Sequence, residues 1–182
     1  DEGPQRLRTA KHLWGMPDNK YRHWRQVHVG NTLLQSATLL ALECRKTGGF
    51  AVLEHPEDPE FWASGKAWAK SNASIWRLPF IQHIGTLLGW QFAHLDQWTV
   101  RPLADIKMSQ KPTRLLLINL PEISSKLKAC GRDGRCNHPW GTHISATGKD
   151  ETGAWRTACL KEYPVRMCDI IASGIADWAT KN

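Results

Sequence analysis

Apolar residues recur at helical spacing from about residue 32: Leu33, Leu34, Ala37, Leu40, Ala41 and Cys44 fall on one face. Thr32 and Gln35 fit a capping box at the start of this helix, and Gly48-Gly49 is a stop signal. Phe50-Ala51-Val52-Leu53 follows at once, a short apolar run suited to a buried strand. Phe80, Ile81, Ile84, Leu87 and Leu88 mark a second helix, with Pro79 at its first position. Trp90, Phe92 and Leu95 suggest a second strand, and Arg114 to Leu120 a third, ended by Pro121. Behind Pro164, Cys168, Ile171, Ala172, Ile175 and Trp178 predict a closing helix. Residues 1–30 show no clean period and read as an irregular basic arm. Residues 55–75, with Pro56, Pro59, Gly65, Ser71, Asn72 and Ser74, read as a long loop. Residues 122–160 are poorly periodic. The predicted order is α-β-α-β-β-loop-α, an α/β domain over residues 31–182 with an open sheet.

A chain of 182 residues suits one domain that buries about two-thirds of its unfolded surface. No apolar run approaches the roughly 20 residues that span a bilayer, so no membrane partner is expected. Five irregularly spaced cysteines argue against a disulfide framework and suit an intracellular, reducing compartment. The chain opens on Asp1 with no charged-then-apolar leader after it, which reads as a start inside a larger protein. Its net charge of +7 is uneven: residues 1–30 carry six Lys/Arg against three acids, and 101–135 carry eight against three. Two basic patches on a neutral body admit DNA as a partner, with an ordinary solvated surface as the equal alternative. Ten tryptophans could stack on bases or simply fill the core.

Glu54-His55-Pro56 places a carboxylate at the end of an apolar strand, where open α/β sheets bind ligands. Pro56 stops the strand and stiffens the turn. On these three residues alone, a capping or salt-bridged turn acid is the simpler reading. Lys111 and Arg114, at the start of the third strand, are candidates to contact phosphate or to orient Glu54, or else are solvated strand-edge charges. Cys130, Cys136, His138 and His143 offer four N/S ligands within 14 residues. Zinc favours such a set, although the spacing matches no standard finger and unpaired, exposed side chains explain it equally well.

The run Gly49-Phe-Ala-Val-Leu-Glu-His-Pro56 resembles the strand and ENP motif of DNA cytosine-5 methyltransferases, above all compact phage-type members. Lys111-Pro-Thr-Arg-Leu-Leu-Leu-Ile-Asn-Leu-Pro121 is similar to their K-P-T-x-x-x-x-N strand, and Cys130, Cys136 and His138 to their Cys/His loop. Tyr163-Pro164 with Cys168 resembles the start of their last helix. Leu13 to Pro17 and Arg25 to Leu34 also look like methyltransferase-like domains of large protist multigene families. The resemblance runs from about residue 30 to 178. It implies a partial Rossmann-like, methyltransferase-type open sheet, with Glu54 hydrogen-bonded to a flipped cytosine and Lys111 and Arg114 near the substrate. In an intact parent it implies S-adenosylmethionine as methyl donor. His55 stands where the family has Asn, no cysteine follows a proline, and no F-x-G-x-G loop is present. The chain by itself is therefore expected to be a degenerate or partial methyltransferase-like domain without activity, or a non-catalytic nucleic-acid or protein-binding module. Gln26 to Asn31 also resembles the family's Q-x-G-N motif, but Gly30-Asn31 is better explained as a turn and helix start.

Overall fold

The structure is a computed structural model that describes residues 5–87, 89–97, 111–128, 149, 151–154 and 162–182. Helix α1 spans Tyr21–Lys46, strand β1 Ala51–Pro56, the short helices α2 and α3 Pro59–Trp62 and Ala67–Ser71, and a 3-10 turn Ile75–Arg77. Helix α4 (Pro79–Leu87) leads to β2 (Gln91–Asp96), then β3 (Pro112–Ile118), α5 (Pro121–Lys128) and α6 (Val165–Lys181). The architecture is α/β, with a small open sheet in the order β1-β3-β2. Both outer strands run antiparallel to β3. They are therefore parallel to each other, with β3 inserted between them.

The middle strand explains the two cores. Threonine and leucine fill β3, and Thr113 and Leu115 to Ile118 are all buried. Side chains alternate between faces along a strand. Leu115 and Leu117 pack with Ile123, Leu127 and Met167 of α5 and α6. Leu116 and Ile118 pack with Ala41, Trp76, Leu78 and Ile81 of α1, the 3-10 turn and α4. The sheet is thus covered on both sides, which is why β3 reads as a continuous apolar run rather than an alternation.

Helix α1 begins at Tyr21, so the boundary expected at residue 30 falls inside it. Val27, Thr38 and Ala41 form its buried face, with Leu34 partly buried beside them. The basic and histidine-rich residues 21–30 masked this period in the sequence. Thr32 and Gln35 lie mid-helix and form no capping box; Gly30 and Asn31 form no turn. A Cβ on Gly30 would stand 3.1 Å from the Arg8 guanidinium, so glycine there lets the arm cross the helix closely. The C-terminal signal holds: Thr47 caps α1, the Gly48 N–H donates to the Arg45 carbonyl at 3.3 Å, and Gly48 has φ of +75°.

Residues 5–20 have no regular structure but are tied down. Arg8 donates to the Val27 carbonyl at 3.1 Å and to Asn31 Oδ1 at 2.7 Å. Asn31 in turn donates to the Trp14 carbonyl at 2.9 Å, and Trp14 stacks on Phe80. The segment expected to be a long loop, 55–75, holds α2, α3 and the start of the 3-10 turn. Arg77 binds it together through Asp58 Oδ2 at 2.7 Å and the carbonyls of Lys70 and Ala69 at 3.0 and 3.1 Å. Residues 122–128, read as poorly periodic, belong to α5, which starts at Pro121 after a turn at Asn119, whose φ is 56°.

Candidate functional site

The β1–β3 register decides what Glu54 can meet. Glu54 pairs with Leu115, and His55 with Arg114. Directly paired residues of antiparallel strands point to the same face. Glu54 therefore belongs to the α5/α6 face, and Arg114 to the opposite one. Sequence reading had placed Lys111 and Arg114 together beside Glu54; the structure brings only Lys111 to that side. The period-2 alternation between positions 111 and 114 separates them.

Glu54 is half-buried near the end of β1. Its Oε2 accepts a hydrogen bond from the Tyr163 hydroxyl at 2.8 Å. Its Oε1 is buried without a hydrogen-bond partner. Pro164 caps α6 and fixes the turn that delivers Tyr163 to the sheet. The Lys111 ammonium lies 4.9 Å from the Tyr163 ring centroid, a cation–π contact. The Lys111 backbone is held as well: its N–H donates to Asp96 Oδ1 at 3.1 Å, and its carbonyl accepts from the Gln97 N–H at 3.1 Å. Burial and the hydrogen bond to Glu54 push the Tyr163 phenol up to about 12, so it is a hydroxyl donor throughout the physiological range. The cluster combines an anionic acceptor, a neutral donor and a cation along one rim of the sheet.

On the other face, Arg114 meets a partner that no local pattern in the chain announces. Glu57 is 5% exposed. Its Oε1 lies 2.5 Å from the Arg114 guanidinium, and His94 hydrogen-bonds to Oε2 through Nδ1. Burial alone would raise the Glu57 carboxyl; the hydrogen bonds from His94 and Arg114 outweigh it and hold the group below its ordinary value. The Arg114 guanidinium also sits 5.0 Å from the Trp76 ring and 5.7 Å from Phe92. This is an internal ion pair roofed by aromatics, so Arg114 neither orients Glu54 nor stands free for phosphate. Glu57 lies three residues beyond Glu54, in the same acidic turn, and only the fold shows it buried. His55 packs edge-on to Trp76 and is held below its ordinary value by burial.

Cys130, Cys136, His138 and His143 lie outside the described residues. Among the described residues, no three His, Cys, Asp or Glu side chains come together as a metal site. No described helix is long and apolar enough to cross a membrane. The resembled family's F-x-G-x-G pattern for S-adenosylmethionine occurs nowhere in the chain, and among the described residues Gly48 and Gly89 stand in separate turns. No protein-family profile, curated protein or solved structure matches the chain.

Proposed function

We propose that this chain is the base-recognising part of a DNA cytosine methyltransferase-like domain, and that alone it binds single-stranded or flipped cytosine without methylating it. One observation carries the reading: Glu54 Oε1 is a buried acceptor with no partner, while Oε2 is held by Tyr163 and Lys111 covers the tyrosine ring. A buried carboxylate oxygen left unpaired costs about 1–3 kcal/mol or more, and a ligand donor removes that cost. Cytosine offers its exocyclic N4 amino group as a donor, whereas thymine presents an acceptor at the same position. The Lys111 ammonium supplies a positive charge for the neighbouring phosphate. No methyl-transfer step is assigned to the chain, because neither a Pro-Cys dipeptide nor the cofactor pattern is in it. His55 in place of the family's Asn supports binding without turnover.

The test is affinity for short single strands that differ only in one central cytosine or thymine. A hydrogen bond to a charged acceptor is worth about 1.5–3 kcal/mol, so roughly a tenfold preference for cytosine is expected. Glu54→Gln should abolish that preference while keeping most of the affinity for the backbone. Equal affinity for the two bases in the unsubstituted protein would end this reading.

A further inference from the structure

On the face of the sheet away from Glu54, a cavity of about 410 Å³ lies between α4 and strands β2 and β3. That is within the range of roughly 300–1,000 Å³ typical of small-molecule sites. Trp76, Trp90 and Phe92 supply aromatic walls, and Gln82, Thr86 and Arg114 supply polar groups. Two N–H donors on these wall residues, Trp90 Nε1 and Arg114 Nε, are buried with no hydrogen-bond partner. Trp90 itself is 8% exposed. The other polar groups of the wall are partly engaged. Trp76 Nε1 donates to the Pro56 carbonyl at 2.8 Å, and Gln82 Nε2 donates to the Trp76 carbonyl at 3.2 Å.

The chemistry of these groups selects a ligand class. Aromatic walls favour a flat ring. Two unmade donors call for acceptor atoms on that ring, since buried polar groups are normally paired. The charge of Arg114 is already balanced by Glu57 at 2.5 Å, so the cavity offers no net positive charge to an anion. The geometry points to a binding site for a neutral, planar, acceptor-bearing heterocycle of the nucleobase class. It is separate from the Glu54 rim and does not depend on it.

Calorimetric titration with adenine, and with indole as a ring of similar size lacking acceptor atoms, tests the site. Adenine should bind saturably and at least tenfold more tightly than indole. Trp90→Phe keeps an aromatic wall and removes one donor, and should weaken adenine at least fivefold. Gly85 lines the same cavity, and a Cβ there would meet Phe92 and Trp90 at ordinary distances of 3.6 and 3.8 Å. Gly85→Leu should therefore fill the space and abolish adenine binding, while Glu54→Gln leaves it unchanged. If Gly85→Leu fails to unfold cooperatively, the Trp90→Phe result decides. No saturable adenine binding up to its solubility limit, indole binding as well as adenine, or an unaltered Trp90→Phe protein would each overturn the site.

Discussion

Two carboxylates three residues apart have opposite fates because of one strand end. Glu54 belongs to the α5/α6 face with one oxygen unpaired, and Glu57 turns inward against Arg114 and His94. Removing one partner of a buried ion pair costs about 3–5 kcal/mol, mostly because the other charge stays buried. Glu57→Gln should therefore destabilise the protein by about that amount at pH 7, read from denaturant unfolding. The folded-state value of Glu57 lies below its ordinary 4.5. Its contribution is present above that unfolded value and is lost as pH falls through the folded one. The stability gap between the two proteins should accordingly narrow below about pH 4.5. A gap of equal size at pH 7 and pH 3 would show that Glu57 is not ionised against Arg114 in the folded state.

At the level of elements, α5 and α6 cover the face that holds Glu54, and Gly174 of α6 packs directly against Ile123 of α5. A Cβ built there would lie 2.3 Å from Ile123 Cγ1. Alanine is the better helix former by roughly 1 kcal/mol, yet the overlap forces the helices apart or moves Ile123. Gly174→Ala should cost about 1–3 kcal/mol net, and Ile123→Val in the same chain should recover part of it. A stabilised Gly174→Ala protein would mean that the two helices do not pack as described. The apolar period of α6 was legible in the sequence, because Ile171, Ile175 and Trp178 repeat along a long amphipathic run. The start of α1 was not legible. Its first buried position, Val27, stands alone among Lys20, Arg22, Arg25 and His28, and local pattern alone suggests a coil there.

Over the whole molecule, the count of 24 lysines and arginines overstates the cations that stand unengaged for a polyanion. Arg8 is committed to Val27 and Asn31, Arg77 to Asp58, Arg114 to Glu57, Lys126 to Asp177 and Lys181 to Glu122. Binding of a single strand should therefore be only moderately salt-dependent, with log K falling by about 2–3 per decade of salt, or roughly three to four phosphate contacts. A fluorescence titration from low to high salt measures this. A slope near zero would remove nucleic acid as a partner, and one beyond about −5 would mean about seven phosphate contacts or more, roughly twice the number expected.

The residue order alone determined the three strands, the helices before β1, before β2 and at the end of the chain, and an acid near the end of β1. Those features follow from local chemistry: runs of leucine, proline and glycine punctuation, and helical or strand periodicity. Only the tertiary structure decided that β3 lies between β1 and β2, and that its register sets Lys111 and Arg114 on opposite sides of the sheet. It alone brought Tyr163 to Glu54, over a separation of 109 residues, and Arg114 to Glu57. Pairings of that kind depend on strand order and chain return, which no short stretch of sequence encodes.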